Sequence, residues 1–240
     1  MDIEKKYLRE ESSVLVEDKA ASKKFMASVF AWMFSGLMIT ATIAWLFANS
    51  SLIGLLITET GLSVLGWIVM LSPLVMVIFM SFGFQRMSFV SLLLLFILYS
   101  ALMGASLSFI LLVYTAQSIT ATFIITASMF GLMAIAGYTT RTDLSKFGSI
   151  LFMGLIGLII AIVVNLFMKS SGFQWIITIF GVLIFTGLTA WDVQRMKKAS
   201  YMTSIGTEIG NKTALMGALS LYLNFINLFL FLLRLIGGRN

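Results

Sequence analysis

Long apolar stretches separated by short polar connections run along almost the whole chain. Seven of them predict membrane-spanning helices, at residues 25–48, 61–82, 87–113, 118–138, 147–168, 173–194 and 213–233. Each is long enough to cross a hydrocarbon layer about 30 Å thick at about 1.5 Å per residue. A transmembrane strand would be about half as long and would alternate in polarity, which these segments do not. The pattern predicts an all-α membrane protein with seven spanning helices.

The composition agrees with this pattern. Of the 240 residues, 60% are hydrophobic and 11% are charged, whereas a soluble domain is about 45–50% apolar and about 25% charged. Seven spans use nearly the whole length, so we expect one transmembrane domain, residues 25–240, and no second domain. Residues 1–24 mix acidic and basic side chains and do not begin like a cleavable signal peptide. We interpret them as a solvated tail and a candidate partner-binding segment.

Basic residues are distributed unevenly between the two ends of the predicted spans. With the N-terminus in the cytoplasm, thirteen lysines and arginines lie inside and three lie outside, namely Lys169, Arg234 and Arg239. This asymmetry predicts a cytoplasmic N-terminus, and an external C-terminus if all seven segments cross. A re-entrant seventh segment would return the C-terminus to the inside. The net charge of +6 indicates orientation and contact with the lipid bilayer, and we expect no nucleic acid partner.

Histidine and cysteine are absent from the sequence. Their absence excludes disulfides, thiol nucleophiles, imidazole or thiolate metal ligands and Ser–His hydrolysis. A Ser–Lys dyad would remain, but no predicted span contains a lysine. We therefore expect no enzyme, no catalytic residues and no resident cofactor or metal. Any response to pH must come from a carboxylate.

Asp192 is the most deeply placed acidic residue of the seven segments. It stands near the end of the sixth segment, in the sequence AWDVQRMKK. An ionisable group inside lipid costs at least about 2.5–3.5 kcal/mol on insertion scales, so it marks a functional site by default. The alternative is that Asp192 sits at the membrane interface, where Arg195 or water would satisfy its charge.

Three amides lie within the predicted spans. Asn224 and Asn227 share one face of the seventh helix because they are three residues apart, and Asn165 is on the fifth. They could line a pore or join helices through hydrogen bonds. Asn224 lies about 16 Å along the helix from residue 213, whereas Asp192 is close to the inner edge. The two meet only if the seventh helix begins later, or if a cytoplasmic cavity admits water to Asp192.

Two local patterns predict structural roles. Ser100, Gly104 and Ser108 recur at helical spacing on the third helix, and small residues of this kind let helices approach closely in lipid. Asp143, in the sequence TTRTDLSK, can accept hydrogen bonds from backbone donors at the start of the fifth helix. We expect it to be a capping residue.

Three stretches occur in register along the chain. They are GYTTRTDLSKFGSILFMGLIGLIIAIVVNLF at 137–167, GLTAWDVQRMKK at 187–198 and ALSLYLNFINLFLFLLRLIG at 218–237. Together they resemble the Bax inhibitor-1 family of membrane proteins, and the likeness extends over residues 20–237. The resemblance implies a seven-helix bundle with the last helix at its centre, in a bacterial plasma (inner) membrane. It also implies a pH-sensitive calcium leak, with calcium ions bound weakly and transiently.

The family's leak is described around two facing aspartates, on the sixth and seventh helices. The resemblance places the first at Asp192 and the second at Asn224, which departs from the pattern. Two adjacent carboxylates cannot both ionise easily, whereas an Asp–Asn pair has a single proton site. The amide of Asn224 can donate to an ionised Asp192. If the two face each other, we expect a weaker or acid-shifted pH response than in relatives with two acids.

The family resemblance also implies an arginine near the second helix that latches onto the sixth-helix acid. Arg86 is the only basic residue in the sequence between Lys24 and Arg141. The charge distribution places it on the same side of the membrane as Asp192. It is therefore the candidate latch. The alternative is an ordinary interfacial anchor that helps to set orientation.

Two functions follow from these observations. The first is a cation leak, in which one intramembrane acid forms a calcium site weak enough for ions to leave. The second is an accessory protein that binds another membrane protein, such as a protease or a stress factor, through the N-terminal tail and helix faces. A proton-coupled transporter is a further alternative.

Overall fold

A computed structural model of the chain gives the architecture. It describes residues 2–58, 61–203 and 205–239, with side chains from residue 20 onward. The elements within these ranges are α1 (Asp2–Ala48), α2 (Ile53–Leu56), β1 (Ile57–Thr58), β2 (Gly61–Leu62), α3 (Val64–Gly83), α4 (Phe89–Val113), α5 (Ala116–Thr139), α6 (Ser145–Met168), α7 (Ser171–Ser200) and α8 (Glu208–Ile236). Seven of these eight helices, all except α2, contain a stretch that is long and apolar enough to span a membrane. The predicted seven-helix fold is confirmed, and the protein is an integral membrane protein.

The predicted boundary between tail and transmembrane domain falls inside α1. The part of α1 that can span the membrane is Ala20–Ala48. Ser22 is buried, and its hydroxyl lies 2.6 Å from that of Ser200 at the end of α7. Side chains of residues 1–19 lie outside the described ones, so the solvated tail at residues 1–24 stays a prediction.

Hydroxyl side chains define where most of the spanning helices begin. A serine or threonine at the N-cap accepts a hydrogen bond from a backbone N–H three residues later, as happens at Ser63, Ser88, Thr115, Ser170 and Thr207. The first backbone donors of a helix have no partner within it, and in a membrane they would otherwise be unsatisfied. The short polar connections therefore fix the helix starts.

The second predicted segment begins too early in the chain. Gly61 and Leu62 form β2, which pairs antiparallel with β1 in the register Ile57 with Leu62 and Thr58 with Gly61. Gly61 has a φ of 127°, a left-handed conformation that glycine adopts without strain and that a helix cannot include. The helix α3 therefore begins at Val64, after the Ser63 cap.

The sixth and seventh predicted segments are too short. α7 continues six residues past the predicted end at 194, and α8 begins five residues before the predicted start at 213. The charged run after Gln194 ends the apolar stretch, but Met196 and Ser200 are buried and keep one face of α7 packed. Long basic side chains reach towards water from such a helix end.

α8 occupies the centre of the bundle, as predicted. It packs against α1, α4, α5 and α7. Its buried side chains are distributed around the whole helix, and Ala214, Leu215, Leu221, Tyr222 and Leu228 have no exposed surface.

Small residues allow the helices to approach closely. Ser100, Gly104 and Ser108 are buried on α4, as their spacing predicts. A Cβ at Gly104 would stand 2.6 Å from the Thr40 carbonyl oxygen, so α1 lies directly against this position. By contrast, large apolar side chains cover the outer surface of α6, where lipid would contact them.

Candidate functional site

Asp192 lies inside the bundle. It stands on α7, eight residues before the helix ends at Ser200, so about 12 Å of helix follow it. The residue is only 3% exposed. Because α7 continues past the apolar run, Asp192 lies within the packed part of the helix and not at its end.

Two side chains of α8 donate hydrogen bonds to Asp192. The amide of Asn224 is 2.8 Å from Oδ2, and the hydroxyl of Ser220 is 2.7 Å from the same oxygen. Ser220 and Asn224 are four residues apart, which puts them on one face of the helix. The predicted contact between Asp192 and Asn224 is therefore present, although α8 begins earlier than predicted, not later.

Arg195 supplies the positive charge beside Asp192. Its guanidinium lies 2.8 Å from Oδ1, one turn further along α7. The contact is an ion pair without hydrogen-bond alignment, so Oδ1 receives charge but no directed donor. The guanidinium also stacks at 4.7 Å on the ring of Trp191. About half of the Arg195 side chain is exposed, so this side chain extends from the buried carboxylate to the protein surface.

A cavity of about 280 Å³ opens beside this cluster. It lies between α3, α7 and α8, and its lining includes Arg195, Ser220, Phe84 and Thr213. Since Ser220 and Arg195 both contact Asp192, the cavity ends one side chain away from the carboxylate. From the sequence, Asp192 and Asn224 could meet only with one of two features: a later start of the seventh helix, or a cavity beside Asp192. A cavity is present close to Asp192.

Arg86 lies apart from this cluster. It is exposed in the turn between α3 and α4, where its backbone N–H bonds to the Gly83 carbonyl. Among the residues that the structure describes, Arg86 forms no ion pair, and Arg195 occupies the position expected for the latch. The contact between Arg86 and Asp192 is therefore not formed here.

The other two intramembrane amides have structural roles. The amide of Asn165 donates to Gln174 at 2.9 Å, and its oxygen accepts from the backbone of Ser170, so it joins the ends of α6 and α7. Asn227 donates to the carbonyl of Leu223 within α8. These contacts favour the packing alternative over a pore lining for both.

The connection between α5 and α6 is fastened to α7 just beyond Asp192. Gln194 accepts from the backbone of Leu144 and donates to the carbonyl of Thr142, both at 2.8 Å. Lys197 donates to the carbonyl of Tyr138 at 2.7 Å. Each of these three bonds joins a side chain of α7 to a backbone group of the connection or of the end of α5, so the connection and α7 are held as one unit.

Asp143 is the charged member of this connection. It accepts from the backbone N–H and hydroxyl of Ser145, as a capping residue would, and from Lys198 at 2.6 Å. The hydrogen bond from Lys198, followed by those from Ser145, lowers the pKa of Asp143 to about 2. Asp143 therefore accepts from the first backbone N–H of α6, as predicted, but it precedes the N-cap residue Leu144, and Lys198 is its ionic partner.

Sequence reasoning missed two members of the site. Ser220 received no role, although its four-residue spacing from Asn224 was a usable signal. Gln194 was also left without a role, because its partners are backbone groups 50 and 52 residues away along the chain. Within the described ranges, no three acidic residues come together as a metal-binding group. Asp192 is thus a single-carboxylate site.

Comparisons with known proteins identify the family. A family profile described as "Inhibitor of apoptosis-promoting Bax1" matches residues 22–240. The chain is 44% identical over 229 residues to the inner membrane protein YbhL of Escherichia coli (strain K12), which covers 95% of this chain and 97% of that protein. It is 45% identical over 231 residues to an uncharacterized protein of Borreliella burgdorferi, with 96% and 97% covered. Rickettsia prowazekii has a relative, uncharacterized protein RP147, that is 42% identical over 217 residues, 90% of each chain.

The family match extends over the spanning helices and includes all three motif stretches at 137–167, 187–198 and 218–237. The relatives match this chain over almost their full lengths, so the likeness concerns the whole bundle. The chain belongs to the Bax inhibitor-1 family of membrane proteins.

Proposed function

We propose that this protein is a pH-sensitive calcium leak channel of the bacterial inner membrane, with its N-terminus in the cytoplasm. The observation that carries the proposal is the buried carboxylate of Asp192, held between Asn224 and Arg195 at the end of a cavity. The name of the YbhL relative supports the inner membrane as the location. The basic residues near Asp192 support its placement on the cytoplasmic side.

The chemistry of the site suits passage of a cation better than its storage. Calcium prefers oxygen ligands, and the site offers the Asp192 carboxylate and the Ser220 hydroxyl oxygen. Tight calcium sites use six to eight oxygens, so one carboxylate binds weakly. Conduction requires binding that is strong enough for entry and weak enough for release. The Arg195 guanidinium must move away before a cation can contact Oδ1.

The Asp192–Asn224 contact also specifies the pH response that we propose. Asn224 donates to Oδ2 and has no proton site of its own, so the charge of the pair is that of the Asp192 carboxylate alone. Closure of the site by Arg195 needs that negative charge. A relative with two acids at these positions would retain a proton to higher pH. This protein should therefore respond to pH more weakly, or at lower pH, than such a relative.

Calcium flux in reconstituted vesicles tests the proposal. The purified chain is placed in vesicles that contain a calcium-sensitive dye, and flux is recorded at external pH values from 5 to 8. Replacing Asp192 by asparagine should reduce the pH dependence to that of protein-free vesicles. Asn224→Asp should move the pH of half-maximal flux upwards. Asn227→Asp is the matched control, because Asn227 bonds only within its own helix.

Two results would contradict the proposal. One is calcium flux no greater than in protein-free vesicles at any pH. The other is a pH profile of Asn224→Asp that is identical to that of the unsubstituted chain, or a shift that Asn227→Asp reproduces.

The identity of the latching arginine can be tested in the same assay. If Arg195 closes the site, Arg195→Gln should raise flux at neutral pH and Arg86→Ala should leave it unchanged. If Arg86 latches onto Asp192 in another conformation, the two variants should show the reverse. The ion pair at 2.8 Å favours Arg195.

An accessory role remains the second candidate. The family profile begins its match at residue 22, so the segment before it lies outside the part that the profile covers. Under this reading that segment binds a membrane protein, such as a protease or a stress factor. Deletion should stop before Ser22, because Ser22 bonds to Ser200. Loss of partner binding with unchanged flux after removal of residues 2–19 would support the accessory role, and lost flux would count against it.

A further inference from the structure

A second cavity lies at the end of the bundle opposite to Asp192. Its volume is about 400 Å³, and it is bounded by α1, α4, α5 and α8. Ala41, Ile110, Ile119 and Phe229 are among its lining residues. These positions lie towards the C-terminal ends of α1, α4 and α8 and the N-terminal end of α5, which meet at one face of the membrane. The charge distribution assigns this face to the outside.

The lining of this cavity is almost entirely apolar. Its polar side-chain atoms are the indole N–H of Trp45 and the hydroxyl of Thr40, and that hydroxyl donates to the carbonyl of Ser100 at 2.8 Å. Because a hydroxyl has a single hydrogen, the 2.6 Å contact with Tyr222 must use the tyrosine as donor. Thr40 is thus already satisfied, and a water molecule would need at least two free partners. The cavity suits an apolar occupant.

The cavity opens towards the lipid-facing surface. Trp45 is 64% exposed and Phe123 is 49% exposed, although both line the cavity. Both belong to spanning helices, so the surrounding medium at this opening is the bilayer. Its volume falls within the range of about 300–1,000 Å³ that is typical of ligand pockets. An acyl chain can enter it directly from the membrane.

Arg239 places a positive charge at the α4–α5 turn, next to the end of the same cavity. The C-terminal residues fold back onto the α4–α5 turn, where Thr115 donates to the Gly238 carbonyl and Gly238 donates to the Ser118 hydroxyl. Arg239 pairs with Tyr114, and its guanidinium lies 5.7 Å from that ring. Tyr114 follows Ile110 by one helical turn. The described part of the chain provides no carboxylate that pairs with Arg239.

We propose that this cavity and Arg239 form a binding site for an anionic phospholipid. One acyl chain occupies the cavity, and the headgroup phosphate binds the Arg239 guanidinium. Arginine is suited to this because its planar fork matches phosphate geometry. The complementary charge and the dry, lipid-open cavity together specify this occupant. The bound chain would contact Phe225 and Ile226, which directly follow Asn224 on the central helix.

Tryptophan quenching tests this site because Trp45 lines the cavity. The full chain is placed in phosphatidylcholine vesicles that contain increasing fractions of brominated phosphatidylglycerol or, in parallel, brominated phosphatidylcholine. The difference between the unsubstituted chain and Trp45→Phe isolates the Trp45 signal from the other four tryptophans. Half-maximal quenching should need about fivefold less of the anionic lipid, the factor that one basic residue near an anionic surface contributes.

Three variants separate this site from general contact with lipid. Arg239→Gln should abolish the preference for the anionic lipid, whereas Arg234→Gln should retain it, because Arg234 lies over Phe231 outside the cavity. Ala41→Phe should fill the cavity and weaken quenching by both lipids. In the unsubstituted chain, raising the salt concentration should reduce the preference.

The proposal is overturned by equal quenching curves for the two lipids. It is also overturned if Trp45 is not quenched, or if a preference for the anionic lipid survives in Arg239→Gln. Monodisperse elution in detergent identifies the variants that are folded, and the salt series on the unsubstituted chain decides the outcome if one of them is not.

Discussion

The carboxylate of Asp192 has three partners, and two of them belong to a different helix. Ser220 and Asn224 satisfy one oxygen, and Arg195 faces the other. A charge with so little exposure is costly unless its neighbours compensate for it. Because Arg195 is half exposed, it can leave the carboxylate at a lower cost than a fully buried partner could.

Removing Arg195 should destabilise the fold through the unpaired acid. Arg195→Gln is expected to cost about 1–3 kcal/mol, as for a buried group that loses a charged partner. In an Asp192→Asn background the same substitution should cost much less, because no charge remains to be compensated. The melting temperature in detergent is measured for four proteins: the unsubstituted chain, the two single variants and the double variant. Arg141→Gln is the control at an exposed arginine, and equal costs in both backgrounds would contradict the expected coupling.

Asp143 should contribute to stability in a defined pH window. The folded pKa is lowered to about 2, whereas an unperturbed aspartate has a pKa of about 3.9. Stabilisation by the Lys198 and Ser145 contacts is therefore complete above about pH 3.9 and is lost as the pH falls through 2. The difference in melting temperature between the unsubstituted chain and Asp143→Asn should shrink over this window. A difference that stays constant from pH 5 to pH 2 would refute the assignment.

At the scale of helices, α7 is fixed by close backbone approaches as well as by hydrogen bonds. A Cβ at Gly137 would overlap the Ala190 carbonyl, and one at Gly148 would overlap the Trp191 ring. Both contacts lie next to Asp192 in sequence. α5 and α6 therefore hold the same turn of α7 that carries the acid, and their connection is bonded to the next turn through Gln194.

Two glycines of α5 provide a matched test of this packing. Gly137→Ala should destabilise the protein by about 1–3 kcal/mol, because the methyl group has to displace the backbone of α7. Gly131→Ala should be neutral or stabilising by up to about 1 kcal/mol, because no atom lies within 4 Å of its Cβ position and alanine favours a helix. Unfolding in detergent measures the change in stability of each variant relative to the unsubstituted chain. Equal losses would show that α5 and α7 are not in contact as described.

At the scale of the whole molecule, two different ends are built around one central helix. The first half of α8 lines the cavity beside Asp192 and Arg195, and the second half lines the dry cavity and leads to Arg239. The basic residues are concentrated at the end where α8 begins. The bundle therefore combines a charged site and an apolar site along one central helix.

The absence of native cysteine makes this orientation directly measurable. Arg141 and Ser171 are exposed at opposite ends of α6. In intact cells, a membrane-impermeant maleimide should label Ser171→Cys, and it should label Arg141→Cys only after permeabilisation. The unsubstituted chain gives the background. Labelling of Arg141→Cys in intact cells would contradict the proposed topology, because position 141 would then lie outside.

Much of the fold follows from local sequence. Apolar runs of about twenty residues must form helices in lipid, because each backbone group needs a partner there. The hydroxyl residues in the connections then set the helix starts. The N-terminal end of α8 and the C-terminal end of α7 were less predictable, since charged residues interrupt the apolar run while a buried face continues.

The sequence by itself determined that Asp192 is the one acid within the predicted spans, and the family resemblance implied that Asn224 is its counterpart. Only the tertiary structure decided how deep that acid is, which arginine faces it, and that Ser220 completes its hydrogen bonds. The physical reason is that depth and partners depend on how α7 and α8 are shifted along each other. That shift is set by packing between residues some thirty positions apart, which hydropathy and local spacing do not encode.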